Sequence, residues 1–306
     1  MAQLARISVI GAGLMGHGIA LTFARHGHEV RVFDAVPESL AALEGRVAAS
    51  LQSLGLDAET VGDTLSRIEA APSLPDCVSS ADVVVEAAPE KLDVKKRIFA
   101  EVEEAAPGHC LLASNTSVIP ITSIMEGLAD KARGLGTHWW NPAHMIPLVE
   151  VIRTQWTAET ALGTIMELLA SIGKTPVRVE KDVPGFIGNR LQHALWREAM
   201  SLVEKGICSA DAVDTVIKSS FGRRLAVLGP LENADLIGTD LSLDIHENVL
   251  FDLESRREPL PVLRRLVEAG KLGMKSGEGF RKWKPGDAQA TQARVAAYLR
   301  EIEKLT

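Results

Sequence analysis

An α/β chain with a doubly wound parallel sheet followed by an all-helical domain is what this sequence predicts. Short apolar runs alternate with helical patterns through the first part of the chain. A glycine-rich turn joins the first strand to the first helix, and strand-like runs nearly vanish after Asp182-Val183-Pro184-Gly185-Phe186. The change of rhythm sets residues 1–184 as a sheet domain and 185–306 as a helical one, and 306 residues suit two domains.

The first element is the strand Ile7-Ser8-Val9-Ile10, then Gly11-Ala12-Gly13-Leu14-Met15-Gly16, then His17-Gly18-Ile19-Ala20 in helical spacing. Gly11 permits the tight turn, Gly13 leaves room for a pyrophosphate beside backbone, and Gly16 lets helix and strand approach. Leu14 and Met15 complete the loop at a helix N-terminus whose free N–H groups attract anions. The next strand, Glu29-Val30-Arg31-Val32-Phe33, ends in Asp34, 18 residues beyond Gly16. Its carboxylate is placed to accept both hydroxyls of an adenosine ribose. It would repel an NADP 2′-phosphate, and Ala35 offers no compensating arginine, so the expected cofactor is NAD in a Rossmann domain.

A long helical insertion, roughly residues 37–68, exceeds what a plain crossover needs. Asp82–Glu86 and Leu111–Ser114 read as buried strands. Leu148–Ile152 and Pro176–Val179 read as later ones, separated by helical spacing over Ala158–Gly173. Helical spacing continues from Leu191 to Lys205, and Ser209 is placed to cap the helix after it.

With 46% hydrophobic and 24% charged residues and a net charge of -7, the composition is that of a soluble protein with no attraction for nucleic acid or anionic membrane. Cys77, Cys110 and Cys208 are scattered, which supports neither a disulfide framework nor a zinc site, and no metal is expected. No signal peptide and no apolar stretch of membrane-spanning length is evident, so a cytoplasmic location is expected.

Four polar segments fall where ligands of open α/β sheets bind, at the carboxyl ends of the strands: Ser114–Ser117, His138-Trp139-Trp140-Asn141-Pro142, Glu150 and Asn189. Glu150 interrupts the apolar run Leu-Val-Glu-Val-Ile, and a buried carboxylate needs a partner. His138 is the natural one, with Arg153 or Arg178 as the structural alternative. Neutral imidazole takes a hydroxyl proton at neutral pH while a carboxylate orients it.

The segments GAGLMG with Asp34, VVEAAPEKLDVKK, SNTS, HWWNPAHMIPLVEVI, DVPGFIGNRL and KSGEGF span Gly11 to Phe280. In that order they resemble the L-3-hydroxyacyl-CoA dehydrogenase family, which includes a lambda-crystallin/L-gulonate 3-dehydrogenase branch. The resemblance implies hydride transfer at C3 of an L-3-hydroxyacyl group, with His138 as acid/base and Glu150 as its partner. It implies that Ser117 and Asn189 hold the substrate oxygen. Asp34, Glu90, Lys95, Ser117, Asn141 and Lys275 are matched to NAD, and the helical domain to homodimer formation.

Two stretches depart from the CoA-using pattern. The insertion segment Ser50–Glu59 carries acids and no lysine, where CoA phosphates favour cations. Phe221–Pro230 resembles the lambda-crystallin-like branch, with Arg224 placed for a substrate carboxylate, or else Arg223 and Arg224 form a solvated helix end. The IPLVEV strand and Val118 lean the same way. A free short 3-hydroxy acid is therefore expected ahead of a CoA thioester, and a redox-inert NAD-binding structural protein is the reading from another class. The joint presence of Ser117, His138, Glu150 and Asn189 argues for the enzyme.

Overall fold

The computed structural model describes residues 4–303. Its central strand β1 (Arg6–Ile10) is buried from Ile7 onward, and Ser8 satisfies its hydroxyl by donating to the Cys77 carbonyl at 2.6 Å. Strands covered on both faces read as near-continuous apolar runs for this reason. The glycine turn leads into α1 (Gly16–Arg25), and then β2 (Glu29–Phe33). The insertion folds as α2 (Pro37–Ala41), α3 (Leu43–Ser53) and α4 (Ala58–Leu65), with Asp57 capping α4 through Thr60 N–H at 2.7 Å. The short strand β3 (Ile68–Ala70) follows.

The remaining elements of the sheet layer are α5 (Leu74–Val78), β4 (Val83–Glu86), α6 (Leu92–Ala105), β5 (Leu111–Ser114), α7 (Ile121–Met125), β6 (Gly134–Trp139), β7 (Leu148–Ile152), α8 (Glu159–Ser171) and β8 (Thr175–Val179). The strand order is β3-β2-β1-β4-β5-β6-β7-β8. Chain direction along the sheet reverses between β1 and β4, which creates the crevice where dinucleotides bind in doubly wound folds. Strands β1 to β6 pair in parallel, β7 runs antiparallel to β6, and β8 is parallel to β7.

Two strands escaped the sequence reading. β3 lies at the end of the presumed helical insertion. In the sequence β6 shows only as a polar segment, because Gly134-Leu135-Gly136 lowers strand propensity. Gly136 is there for space: a Cβ on it would sit 2.6 Å from Ile121 Cδ1.

Helices cover both faces of the sheet. On one side Phe23 of α1, Val47 and Leu51 of α3, and Leu162 and Ile165 of α8 pack with Val9, Val85 and Ala113. On the other, Cys77 of α5, Phe99 and Val102 of α6, and Ile121 and Ile124 of α7 pack with Ile10, Val84 and Leu112. Burial in these layers pushes the Cys77 thiol up to about 11 and Cys110 to about 12, so both stay protonated and inert.

The chain divides into two units, one up to Arg190 together with the residues from Val295 on, the other Leu191–Arg294. The helices of the second part are α9 (Gly188–Glu204), α10 (Ala210–Ser219), α11 (Pro230–Ile237), α12 (Thr239–Val249), α13 (Pro261–Glu268) and α14 (Asp287–Glu303). The Ser209 hydroxyl caps α10 by accepting the Ala212 N–H at 3.2 Å. The last turns of α14 group with the first unit, where Arg300 donates to the Ser53 carbonyl at the end of α3. Among the described residues, no helix is long and apolar enough to cross a membrane, and no cluster of His, Cys, Asp and Glu has the arrangement of a metal site.

Candidate active site

The glycine loop is a cradle closed on two sides and open on one. Gly11 has φ 110°, and a Cβ there would approach Ala87 O to 2.6 Å; on Gly16 it would meet Gly11 O at 1.7 Å. Around Gly13 nothing lies within 4 Å of the same position, so this is the face past which a pyrophosphate has room to run. Leu14 is exposed and Met15 half-buried, and α1 begins after Met15 without a side-chain cap, leaving its first N–H groups for an anion. Asp34 sits just past β2, its Oδ2 accepting from Ala12 N–H at 2.7 Å and its Oδ1 from Val36 N–H at 2.8 Å. This donor and acceptor set fits a dinucleotide whose adenosine ribose faces Asp34.

Arg46 of α3 also reaches this loop, donating from Nη1 to the Ala12 carbonyl at 2.8 Å. No motif beside Asp34 marks it in the sequence. Its separation along the chain carries no signal of contact.

Past β4 and β5 a polar network shapes the Ser114–Ser117 turn. Glu86, fully buried at the end of β4, accepts from Lys95 Nζ at 2.7 Å, from the Ser114 hydroxyl at 2.6 Å and from Ala88 N–H at 2.7 Å. Lys95 also lies 3.4 Å from Glu90 Oε2. Glu90 Oε1 in turn accepts from the Thr116 hydroxyl and from Ser117 N–H at 2.9 Å and Val118 N–H at 3.1 Å. Burial raises the Glu90 carboxyl, but the Thr116 hydrogen bond, the Lys95 charge and these amides outweigh it and hold it below the usual carboxylate range. The Lys95 side chain has no exposed surface and its ammonium faces Glu86, Glu90 and the Ala88 carbonyl, so it supports the Glu90 clamp on the Ser117 turn. Glu86 was legible only as a strand residue; a carboxylate ending an apolar strand is the same signal that singled out Glu150.

The antiparallel joint of β6 and β7 sets His138 directly opposite Glu150. Cross-strand side chains at such a pair are about 5 Å apart at Cβ, and here His138 Nδ1 lies 2.7 Å from Glu150 Oε2, both residues buried. The other oxygen, Oε1, accepts from Ile187 N–H at 2.8 Å and Gly188 N–H at 3.0 Å. Those two amides are aimed by the turn before α9, in which Gly185 has φ 76° and Phe186 φ 49°, a left-handed conformation costly for a bulky residue. Burial pushes Glu150 up, yet the hydrogen bonds from His138, Gly188 and Ile187 and the charge of His138 prevail, so its carboxyl lies below the usual range. Arg153 and Arg178, the alternative partners, bind Glu159 and Glu180 instead.

Aromatic rings fix the imidazole from two sides, Trp140 at 5.4 Å and Phe186 at 5.5 Å between centroids. Gly188 leaves room for Trp140, since a Cβ on it would fall 2.4 Å from Trp140 Cζ2. Trp139 points into the core, edge-on to Phe23, with its indole N–H buried and without a hydrogen-bond partner among the described residues and its backbone N–H donating to Asn115 Oδ1 at 2.9 Å. His144 is near His17, with centroids 6.3 Å apart.

Asn189 donates from Nδ2 to the Ser117 carbonyl at 2.9 Å, so the two expected substrate-oxygen residues are joined. Asn141 is exposed at the start of the β6–β7 connection. Lys275, in the turn Gly273–Glu278, and Arg224, exposed after the short helical turn Phe221–Arg223, belong to the second unit.

A glycine cradle with a carboxylate just past the second strand and a buried histidine–carboxylate pair within one sheet unit defines a nicotinamide-dependent oxidoreductase. Residues 6–183 match the model for the 3-hydroxyacyl-CoA dehydrogenase NAD-binding domain, and residues 185–283 match that for the 3-hydroxyacyl-CoA dehydrogenase C-terminal domain. The chain belongs to the 3-hydroxyacyl-CoA dehydrogenase family of NAD-dependent enzymes acting on CH–OH groups.

Among relatives, the 5-formyl-3-hydroxy-2-methylpyridine 4-carboxylate 5-dehydrogenase of Mesorhizobium japonicum is 34% identical, over 99% of this chain and 98% of its own. A crystal structure of an enzyme of that name, described as an NAD+-dependent dismutase, superposes with a TM-score of 0.91 over 99% and 98% of the two chains, at 34% identity. A probable 3-hydroxybutyryl-CoA dehydrogenase of Bacillus subtilis is 38% identical over 91% of this chain and 97% of its own. The (S)-3-hydroxybutyryl-CoA dehydrogenase structure from Ralstonia eutropha gives a TM-score of 0.75 at 31% identity, over 92% and 100%.

Proposed function

We propose that this chain oxidises the C3 hydroxyl of a short L-3-hydroxy acid, reversibly, with His138 as the proton carrier. The observation that carries the chemistry is the 2.7 Å hydrogen bond between His138 Nδ1 and Glu150. An ionised Glu150 accepts from Nδ1–H, which leaves the lone pair on Nε2 for the substrate hydroxyl proton. Bound NAD supplies the hydride acceptor. As the C3–H bond gives up its electron pair, His138 takes the O–H proton, and the product is the 3-oxo acid. Glu150, kept anionic by Ile187 and Gly188, stabilises the imidazolium that forms. Ser117 and Asn189 hold the substrate oxygen, and Glu90 fixes the Ser117 turn. In reduction the same imidazolium returns the proton.

For the substrate, a free carboxylate is favoured over a thioester. The insertion Ser50–Glu59 has no cation for CoA phosphates. The full-length likeness to an enzyme named for a pyridine carboxylate exceeds the likeness to the Ralstonia CoA enzyme. Arg224 supplies the guanidinium for that carboxylate, as a planar fork suited to bidentate binding. The many CoA-dependent names among the relatives keep the short-chain thioester as the second reading.

We also infer a homodimer built on the second unit, whose Val227, Leu231, Leu236 and Phe251 are exposed.

Initial rates of NADH formation with L-3-hydroxybutyryl-CoA, L-3-hydroxybutyrate, L-gulonate and a hydroxymethylpyridine carboxylate test the substrate. Turnover of a free acid, with Arg224→Ala raising its KM by about tenfold to a hundredfold, is the expected result. Turnover confined to the thioester, or an unchanged KM in Arg224→Ala, overturns the free-acid reading.

A further inference from the structure

The adenosine end of the cofactor site holds an arginine that no motif announces. Helix α3 is held against the sheet by the buried Val47 and Leu51, which fixes where its other rows face. One turn apart on it, Arg46 and Ser50 share a face. Ser50 Oγ meets His17 Nε2 at 3.1 Å, and His17 Nδ1 meets the Gly13 carbonyl at 2.9 Å, so this face of α3 is tied to the glycine loop at two points. The other tie is Arg46 Nη1 to the Ala12 carbonyl.

Ala12 therefore carries a carboxylate at its N–H, from Asp34, and a guanidinium at its C=O, from Arg46. Each charge is held by backbone and neither neutralises the other through a direct ion pair. A guanidinium has five N–H donors, and the Ala12 carbonyl takes one. Arg46 is exposed, so the remaining donors face solvent beside the residue that positions the ribose-reading carboxylate. In dinucleotide folds an acid at this place reads the ribose 2′-hydroxyl, while a nearby arginine accommodates a 2′-phosphate.

We propose that Arg46 is a second reader of the adenosine 2′ position, an anion anchor standing next to the carboxylate that rejects the anion. Discrimination against NADP then rests on the charge of Asp34 alone. Neutralising Asp34 turns the same site toward NADP, with Arg46 as the phosphate ligand. This inference depends on the family's use of NAD and is independent of the His138 chemistry.

The test is binding, read by fluorescence titration of NADH and NADPH. Asp34→Asn keeps an acceptor oxygen for Ala12 N–H while removing the charge. It is expected to bind NADPH about tenfold tighter than the parent or better, and Arg46→Ala in that background is expected to remove the gain, as loss of a charge-assisted hydrogen bond would. Arg46→Ala alone gives the reference for NADH, so that any general loss of cofactor binding through the Ala12 carbonyl is separated from a loss specific to NADPH. A double variant that binds NADPH as tightly as Asp34→Asn overturns the proposal. If circular dichroism shows Asp34→Asn misfolded, calorimetry of the parent and Arg46→Ala with 2′,5′-ADP and 5′-AMP decides. A loss confined to 2′,5′-ADP supports it, and equal losses or none refute it.

Discussion

The sheet unit and the helical unit spend their apolar residues in opposite ways. In the sheet unit Val9, Phe23, Phe99 and Leu112 are wholly buried, because each sheet face is roofed by helices. In Leu191–Arg294 only Ser201 and Leu260 are buried among the described residues, while Val227 is 87%, Leu231 80% and Phe251 83% exposed. A sheet offers every amphipathic helix a flat apolar surface to cover. Helices α10 to α13 have no sheet beneath them and leave their apolar residues to solvent or to a partner. The sheet unit also carries the titratable groups of the candidate chemistry, and those exposed apolar residues lie in the helical one.

That division can be broken in four ways, in order of expected effect. His138→Gln should lower turnover by about a hundredfold to ten-thousandfold, the usual contribution of a general base, with NADH affinity and oligomeric state unchanged; steady-state kinetics and sedimentation check both, and near-parental turnover would place the base elsewhere. Phe99→Ala should cost about 3–5 kcal/mol of unfolding free energy, because a cavity opens in a roofed layer. Denaturant melts at two protein concentrations should show that loss at both.

Leu231→Glu with Phe251→Glu should leave the chain folded and yield monomers in sedimentation. A species that stays dimeric would move the association surface off α11 and the segment after α12. The smallest effect concerns acid. Burial, then the charges of His17, Lys174 and Arg25, lower the His144 imidazole from its usual 6.5 to about 4. Between those values the unfolded chain binds a proton that the native state does not, so stability falls as pH drops from 6.5 toward 4. His17 and His28, also lowered chiefly by burial, add in the same direction. A His144→Gln variant should show a shallower loss of Tm over that window, and an identical slope would exclude His144 as a contributor.

Legibility varied with how local the cause was. Gly11, Gly13, Gly16 and Asp34 are readable because turn geometry, phosphate clearance and the acid at the next strand end are set by neighbours in sequence. The strands with β-branched runs were readable for the same reason. β6 was not, since its glycines are explained by Ile121 and Ile152 packed against Gly136, contacts invisible along the chain. Glu150 was conspicuous as a charge in an apolar run, and desolvation cost alone demanded a partner. Which oxygen meets His138, and that Ile187 and Gly188 take the other, depends on strand register and on the turn at Phe186. Lys95 shows the converse, since a residue matched by motif proves to be buried among carboxylates.

By itself, then, the amino-acid order determined the fold class, the dinucleotide loop, the acid that ends the second strand and the need to pair Glu150, all consequences of local sterics, periodicity and desolvation. Tertiary structure alone decided that β7 turns back along β6 to face Glu150 with His138, that Glu90 clamps the Ser117 turn, and that Arg46 reaches Ala12. Those contacts join residues far apart in the chain, and only the register of packed elements brings them within hydrogen-bond range.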